Sequence, residues 1–332
     1  MSGISIKKLT KKFKEFVAVD DISFEVPENH VMGFLGPNGA GKTTTLRMLV
    51  GLSRPNSGEI EIAGKRITFG DASANITFGY LPEQPSFYRW MNGQEYLSFI
   101  ADTYKIKNDV MAKKIKELLT LVNLYDARRK RISTYSNGMK QRLGIAQALM
   151  NDPKVLIMDE PVSALDPIGR REVLNIIQEL KKEKTILLST HILSDVDKIC
   201  DDVAIINNGK ILVVSPIAEL KEKYGQPILE VEFDKDPKDI EQSLKAEDWV
   251  NTVERSGNYI KIWPKDIKAV DKNEAIKFLS KQNIGVLRYG QILPEIEDLF
   301  VRIIREPGSE TSIKCSGISL RNDRSSTTRE AK

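Results

Sequence analysis

The chain has 332 residues, 29% of them charged, and a formal net charge of only +4. That length allows one large domain and a smaller one. Acidic and basic residues are nearly balanced and form no basic stripe, so no nucleic-acid partner is expected. Its two cysteines have no Cys-x-x-Cys spacing, which excludes a disulfide framework and a zinc site. The N-terminus lacks the apolar core of a signal peptide, and no apolar run approaches the roughly 18 residues of a membrane span. We therefore expect a cytoplasmic protein.

The first third of the chain predicts short strands and a turn into a helix. Alternating apolar residues predict strands over residues 5–9 and 22–26, and a compact apolar run predicts a buried strand over Val31–Leu35. That run stops at Gly36, and a helix is predicted over residues 43–52. Another strand is expected over residues 59–63.

The middle of the chain alternates between helices and strands. Residues 92–150 are predicted to be mainly helical, and apolar strands return at residues 155–158, 185–188 and 203–206 with helices between them. Strands that alternate with helices favour a parallel sheet covered on both faces.

The pattern changes after residue 224. Two alternating segments, at 229–233 and 259–263, are accompanied by helices after Pro237 and around Ala275 and Leu299. They predict a small α+β accessory domain over residues 226–305, which is within the usual range of domain size. Serine, threonine, arginine and glycine dominate residues 306–332, which predicts a disordered tail.

A glycine-rich loop lies between the buried strand and the first helix. It reads Gly36-Pro37-Asn38-Gly39-Ala40-Gly41-Lys42-Thr43, followed by Thr44. Glycines let successive backbone N–H groups curl around phosphate oxygens, and the helix N-terminus adds its positive dipole end. Lys42 then places a charge at the β- and γ-phosphates, and the Thr43 hydroxyl can ligate Mg²⁺. The loop predicts a site for a nucleoside triphosphate and Mg²⁺.

Two carboxylates end the apolar strand at residues 155–158. Asp159 stands where Mg²⁺ needs an acidic anchor beside such a loop, and Glu160 is placed to orient or deprotonate an attacking water. The alternative interpretation is that these two carboxylates are only an acidic turn that follows a strand. His191, at the end of another apolar strand, could donate a hydrogen bond to the γ-phosphate or be structural; His30 is assigned a structural role.

The segment Tyr135-Ser136-Asn137-Gly138-Met139, 23 residues before Asp159 when counted from Ser136, completes a set of motifs. With the loop and the carboxylates, it resembles the signature of ABC-transporter ATPases. Residues 163–166 resemble the D-loop, residues 189–191 the switch histidine, and Phe13 the aromatic that stacks on adenine. The resemblance covers about residues 3–220.

The resemblance implies a P-loop ABC cassette over residues 1–224: a parallel core sheet, an antiparallel β subdomain and a helical subdomain at about 86–150, plus the small C-terminal α+β domain. It also implies a head-to-tail homodimer that encloses two ATP molecules. In that dimer Ser136 and Gly138 of one copy would contact the γ-phosphate held by Lys42 of the other, and Asp166 of the D-loop is expected to be a nucleotide-binding residue.

Two positions depart from the family pattern. Asn137 replaces a glycine of the signature, and the coupling glutamine falls at Glu83, a possible Mg²⁺ ligand, with Gln84 beside it. Which of the two acts stays open, because a carboxylate only accepts hydrogen bonds. Together with the C-terminal unit, these departures resemble ATP-binding subunits of bacterial and archaeal drug, antibiotic-resistance or sodium exporters.

The resemblance further implies a separate membrane-spanning permease, with this chain peripheral on the inner face of the cell membrane. The alternatives are a soluble ABC ATPase of DNA repair or translation, a non-catalytic nucleotide-regulated module, and another P-loop class. Phe87, Tyr88 and Trp90 either contact the permease or fill the core of the helical subdomain, and the sequence leaves both readings open.

Overall fold

The computed structural model describes residues 2–70, 77–224, 228–266, 268, 270, 272–282, 284–292 and 295–305. The predicted tail, residues 306–332, lies outside them. The strands are β1 (Ser2–Phe13), β2 (Phe16–Pro27), β3 (Val31–Leu35), β4 (Ser57–Ile62), β5 (Lys65–Arg66), β6 (Phe78–Leu81), β7 (Val155–Asp159), β8 (Thr185–Thr190), β9 (Asp202–Asn207), β10 (Lys210–Pro216), β11 (Ile228–Phe233), β12 (Val250–Ser256), β13 (Tyr259–Pro264) and β14 (Val286–Ile292). The α-helices are α1 (Lys42–Leu49), α2 (Gly93–Thr103), α3 (Asn108–Leu121), α4 (Asn137–Ala148), α5 (Pro167–Leu180), α6 (Leu193–Ile199), α7 (Ile217–Tyr224), α8 (Lys238–Lys245), α9 (Glu274–Leu279) and α10 (Ile296–Arg305).

The strands form three sheets. The central sheet has the order β10-β9-β3-β8-β7-β6, and it is parallel except for the antiparallel edge strand β10. A second, antiparallel sheet has the order β2-β1-β4-β5, and a third, also antiparallel, has the order β12-β13-β11-β14. The parallel core sheet, the antiparallel β subdomain, the helical subdomain and the C-terminal α+β unit are confirmed as the fold.

The hairpin of β1 and β2 is longer than the sequence predicted. Two short strands were expected, whereas each strand runs for 12 residues. Pairing continues through several register shifts as far as Phe13 and Phe16, on either side of a two-residue turn. The shifts interrupt the simple alternation of apolar and polar residues, and that is why the pattern showed only part of each strand.

The helical subdomain consists of α2, α3 and α4. The Asn92 side chain caps α2 by accepting from the Glu95 N–H, and the Glu95 carboxylate accepts from the Asn92 N–H. These two backbone donors at the helix start are therefore satisfied. Arg142 of α4 is buried, and its Nη1 donates to the carbonyl oxygens of Val122 and Asn123 where α3 ends. These bonds fix α4 against α3.

The last helix, α10, packs on the cassette. Its residues Ile296, Leu299 and Ile303 are buried in the same apolar cluster as Val196 of α6 and Leu220 of α7. The third sheet has its own core, built around residues such as Phe233 and Ile262. The unit predicted over residues 226–305 therefore shares its final helix with the cassette core.

Among the described residues, no helix combines the length and the apolar character that crossing a bilayer demands.

Candidate nucleotide-binding site

A cavity of about 480 Å³ opens where β3, β7 and β8 end. In an α/β sheet, ligands bind in the crevice at the carboxyl ends of the strands. The cavity is lined by Phe13, Phe16, Ala18, Asn38, Gly39, Gly41, Lys42, Thr43, Thr44, Glu83, Glu160, Ser163 and His191.

The glycine-rich loop takes a conformation that side chains would oppose. Gly39 has φ +81° and Gly41 has φ +110°, in the left-handed region that glycine tolerates. A Cβ on Gly41 would lie 2.6 Å from the carbonyl oxygen of Ala18, so glycine is required there by space as well. The loop therefore passes close under the β1–β2 hairpin and turns its backbone into the start of α1.

The Lys42 ammonium lies inside this loop. It is buried, and its Nζ donates to the carbonyl oxygen of Gly36 at 2.8 Å and, less closely, to that of Pro37 at 3.4 Å. Gly36, Pro37 and Ala40 do not line the cavity themselves; they shape the loop, with the Ala40 N–H donating to the Pro37 carbonyl at 3.1 Å. Lys42 is thus held where an anion in the cavity would meet it.

Thr43 and Asp159 provide oxygen ligands of the kind that Mg²⁺ prefers. The Thr43 hydroxyl donates to Asp159 Oδ1 at 3.2 Å, and Asp159 is almost fully buried. The described residues contain no group of three or more His, Cys, Asp or Glu side chains that could hold a metal. This donor set fits Mg²⁺, which is usually bound through one or two protein oxygens, waters and substrate phosphates.

Tyr80 stays a neutral neighbour of this pair. Burial, followed by the negative charge of Asp159, raises the pKa of Tyr80 to about 12, and the cation of Arg47 only partly opposes these effects. The phenol is therefore protonated at neutral pH and adds no charge beside the predicted metal position.

Glu160 lines the cavity and contacts two other residues that line it. Its Oε1 lies 3.7 Å from Lys42 Nζ and its Oε2 lies 2.9 Å from His191 Nδ1. The backbone of Glu160 has φ +47°, an uncommon and strained conformation for a residue other than glycine. Strain of this kind is typical of functional sites, where surrounding contacts enforce it.

The mouth of the cavity carries two exposed aromatic rings. Phe13 and Phe16 face the cavity across the hairpin turn, 51% and 64% exposed, and Lys11 Nζ lies 4.9 Å from the centroid of the Phe13 ring. Sequence reasoning found Phe13 and missed Phe16. Strand pairing across a two-residue turn would have placed Phe16 opposite Phe13, had the full length of the hairpin been recognised.

Besides Gly36, Pro37 and Ala40, four predicted residues do not line this cavity: Ser136, Gly138, Asp159 and Asp166. Asp159 adjoins it through its bond with Thr43. Ser136 caps α4 by accepting from the Met139 N–H at 3.2 Å, and Asp166 caps α5 by accepting from the Gly169 N–H at 3.2 Å. A Cβ on Gly138 would lie 3.6 Å from Gly169 Cα, so the two helix starts are in contact. The signature and Asp166 form a second surface, separate from the cavity of the same chain, whereas Ser163 at the start of the D-loop lines the cavity.

Glu83 lines the cavity, whereas Gln84 does not. His30 immediately precedes β3, at the end of the strand opposite the phosphate-binding loop. Its Nδ1 lies 2.6 Å from Oδ2 of Asp202, the first residue of the parallel strand β9. That bond agrees with the structural role assigned to His30.

The aromatic residues after Glu83 were expected either to contact the permease or to fill the core of the helical subdomain, and they differ in burial. Phe87 packs against the core, with its ring centroid 5.0 Å from that of Tyr96. Tyr88, Trp90 and Phe99 are exposed, and Trp90 is 68% exposed. Their rings cluster, with Tyr88 4.9 Å from Trp90 and 5.5 Å from Phe99, centroid to centroid.

The fold and the glycine-rich loop define a P-loop nucleotide-binding cassette. A family described as ABC transporter matches residues 19–163, and one described as ATP-binding protein DrrA1-3-like, C-terminal domain, matches residues 216–304. The uncharacterized ABC transporter ATP-binding protein YxlF of Bacillus subtilis is 38% identical over 308 residues, covering 91% of this chain and 99% of that protein. The bacitracin transport ATP-binding protein BcrA of Bacillus licheniformis is 36% identical over 306 residues, covering 91% of this chain and 97% of that protein.

Solved structures agree. The ATP-binding subunit of an ABC transporter is 30% identical with a TM-score of 0.61, covering 67% of this chain and 92% of that one. The chain therefore belongs to the ATP-binding proteins of ABC transporters. It is an ATPase subunit whose hydrolysis of ATP drives transport, and no finding favours a role outside transport. ATP-binding subunits of this family dimerise and work with transmembrane partners.

Proposed function

We propose that this chain binds MgATP at the loop ending in Lys42 and Thr43, hydrolyses it in a head-to-tail homodimer, and drives export through a separate membrane-spanning permease. One observation supports the proposal: the Lys42 ammonium, the Thr43–Asp159 oxygen pair and the Glu160–His191 pair lie in or beside the cavity, close to the ends of neighbouring strands.

The phosphates would lie along the loop from Asn38 to Thr44. Backbone N–H groups and the start of α1 stabilise their charge, and the Lys42 ammonium binds the β- and γ-phosphate oxygens. The rings of Phe13 and Phe16 at the cavity mouth offer flat apolar faces for the adenine. Mg²⁺, held through Thr43, Asp159 and the carboxylate of Glu83, would neutralise charge that develops on the phosphates.

Hydrolysis requires a base beside the γ-phosphate. The Glu160 carboxylate is positioned to accept a proton from a water molecule, whose oxygen then attacks the γ-phosphorus as the bond to the β–γ bridging oxygen breaks. His191, 2.9 Å from Glu160 Oε2, orients that carboxylate and can donate a hydrogen bond to the γ-phosphate. Lys42 offsets the negative charge that builds up.

The second surface explains the need for two copies. Ser136 and Gly138 lie at the start of α4, a helix N-terminus that can complete the anion shell around a partner's γ-phosphate. Asp166, beside them at the start of α5, lies at the same surface. Because this surface does not line the cavity of its own chain, a second copy supplies it.

Three observations support an exporter attached to the cytoplasmic face of the cell membrane through its permease. The relative BcrA is described as a bacitracin transport protein, and the C-terminal match is to a DrrA1-3-like domain. The exposed cluster of Tyr88, Trp90 and Phe99, close after Glu83 in the chain, is a suitable contact for the permease, because exposed aromatics are enriched at interfaces.

The test compares wild type with Glu160→Gln, with the exposed surface change Glu117→Gln as control. Phosphate release and light scattering measure hydrolysis and dimer formation with ATP. We expect Glu160→Gln to accumulate as an ATP-bound dimer and to hydrolyse at least about a hundredfold more slowly, in line with the loss of a general base. Undiminished hydrolysis by Glu160→Gln would refute the role of Glu160, and a persistent monomer would refute the ATP-dependent dimer.

The contact with the permease is tested by co-purification. A permease that binds this chain should co-purify with it from membranes, and Trp90→Ser should weaken that association without changing ATP binding. Co-purification that is unaffected by the change would place the contact elsewhere.

A further inference from the structure

Ser189 is a fully buried polar residue between the two carboxylates of the site. It is the fifth residue of β8, pairs in register with Asp159 of β7, and has 0% exposure. Like Asp159, it does not line the cavity, and it adjoins the site through its hydrogen bonds. Its hydroxyl needs partners, because an unpaired buried hydroxyl costs free energy.

Those partners are the two catalytic-site residues themselves. Ser189 Oγ lies 2.6 Å from Asp159 Oδ1 and 3.0 Å from the backbone nitrogen of Glu160. An ionised carboxylate only accepts hydrogen bonds and a backbone N–H only donates, so the direction of both bonds is set. The hydroxyl donates to Asp159 and accepts from Glu160.

The two hydrogen bonds of the Ser189 hydroxyl hold different parts of the site. The bond to Asp159 fixes the oxygen that also accepts from Thr43, and therefore the geometry of the predicted metal anchor. The Glu160 N–H is shared between the Ser189 hydroxyl at 3.0 Å and the Ser189 backbone carbonyl at 3.2 Å. These bonds help to hold a residue whose φ of +47° is strained, and a strained backbone persists only where its surroundings enforce it. The hydroxyl thus links the Asp159 carboxylate to the backbone of Glu160.

The same strand end also carries the histidine. After Ser189 come Thr190, whose Oγ1 accepts from the Ile192 N–H at 3.0 Å, and His191, which contacts Glu160. The end of β8 therefore holds Glu160 from both sides: at its backbone through Ser189 and at its carboxylate through His191.

We propose that Ser189 is a positioning residue for ATP hydrolysis: its hydroxyl joins the metal-binding carboxylate of Asp159 to the backbone of Glu160 and holds both in reacting geometry. This inference rests on the proposed roles of Asp159 and Glu160. It assigns no contact between Ser189 and the substrate.

The test uses Ser189→Ala, which removes the hydroxyl, and Ser189→Cys, which nearly keeps the volume but offers only a weak donor. The matched control is Ser215→Ala, since Ser215 is also a buried serine, on β10, and it bonds only locally to the Pro216 carbonyl. Two readouts are measured on each: kcat and KM for ATP, and the affinity for a fluorescent, non-hydrolysable ATP analogue with Mg²⁺ and with EDTA.

We expect kcat to fall about ten- to a hundredfold in both Ser189 variants, the range expected from losing one hydrogen bond to a charged group. KM and the affinity in EDTA should change little, because Lys42 and the loop are untouched. The extra affinity that Mg²⁺ supplies should shrink, because Asp159 is no longer fixed. The Ser215→Ala control should match wild type in every readout.

Wild-type kcat and a wild-type Mg²⁺ effect in Ser189→Ala would overturn the inference. A parallel loss of kcat and of affinity in EDTA would also overturn it, because that pattern indicates general damage to the cavity. Glu160→Gln is run alongside: if it hydrolyses ATP normally, the proposed function fails, whereas an inactive Glu160→Gln beside an active Ser189→Ala removes only the role of Ser189.

Discussion

The carboxylate of Glu160 lies 3.7 Å from the ammonium of Lys42, and both side chains are buried. The cation that would bind the γ-phosphate is therefore next to the base that would activate the water. An incoming phosphate is attracted by Lys42 and repelled by Glu160, so the two charges act on substrate binding with opposite sign.

The first prediction concerns that repulsion. Glu160→Gln removes a negative charge beside the phosphate site and keeps the size of the side chain. We expect it to bind a non-hydrolysable ATP analogue several-fold more tightly than wild type in a calorimetric titration, because a buried like charge is lost. Weaker binding by this variant would show that Glu160 helps to hold the nucleotide instead.

The second prediction concerns the cation. Lys42→Ala removes the charge and the bonds to the carbonyl oxygens of Gly36 and Pro37. We expect the affinity for the same analogue to fall by about a hundredfold or more, the cost typical of truncating one member of a buried charge pair. Lys113→Ala, a change at an exposed lysine of α3, serves as control and should bind like wild type. Equal affinities in the two variants would remove Lys42 from the site.

The third prediction separates the two aromatic rings. Both Phe13 and Phe16 line the cavity mouth, so each single change to Ala should weaken binding of ATP, and the double change should weaken it further. Stacking of a base on one aromatic side chain is worth about 1–3 kcal/mol, which corresponds to roughly five- to 150-fold in affinity. Binding of inorganic triphosphate should be unaffected, and an equal loss for triphosphate would point to damage of the loop rather than to lost stacking.

The fourth prediction concerns the buried thiol of Cys200, at the end of α6. Burial, followed by the negative charge of Asp201, raises the pKa of this thiol well above its usual range, so it stays protonated at neutral and mildly alkaline pH. Since the thiolate is the reactive form, we expect very slow alkylation of native protein at pH 8 and rapid alkylation in denaturant. The measurement is made by mass spectrometry in a Cys315→Ser background. Rapid reaction of native protein would show that the region around α6 opens easily.

The fifth prediction tests whether α10 stabilises the cassette. Leu299 of α10 is buried in the cassette core, in the cluster that also contains Cys200. Leu299→Ala should cost about 2 kcal/mol or more, as buried leucine truncations do. The opening that exposes Cys200 should then accelerate about thirtyfold, read by the alkylation rate. Leu287→Ala is the matched control, because Leu287 is 66% exposed on β14, and it should leave that rate unchanged. An unchanged rate in Leu299→Ala would mean that the cassette does not depend on α10.

The sequence alone determined the class of the protein. The loop from Gly36 to Thr43, the carboxylates Asp159 and Glu160 and the signature at Ser136 are local patterns whose chemistry follows from residue type and spacing. Apolar runs likewise predicted four of the six strands of the central sheet, β3, β7, β8 and β9, because a strand buried on both faces is a continuous apolar run. The edge strands β6 and β10 were not predicted. The family assignment and the fold followed from these local signals, and both are confirmed.

Only the tertiary structure decided which residues act on one another across the fold. Ser189 and Asp159 are 30 residues apart, and their bond depends on the parallel register of β7 and β8. The packing of α10 on α6 joins segments about a hundred residues apart, and the place of Phe16 depends on how far the β1–β2 hairpin stays paired. Such contacts depend on strand order, register and the volumes that fill the core, and these are properties of the whole packed chain rather than of any short pattern in it.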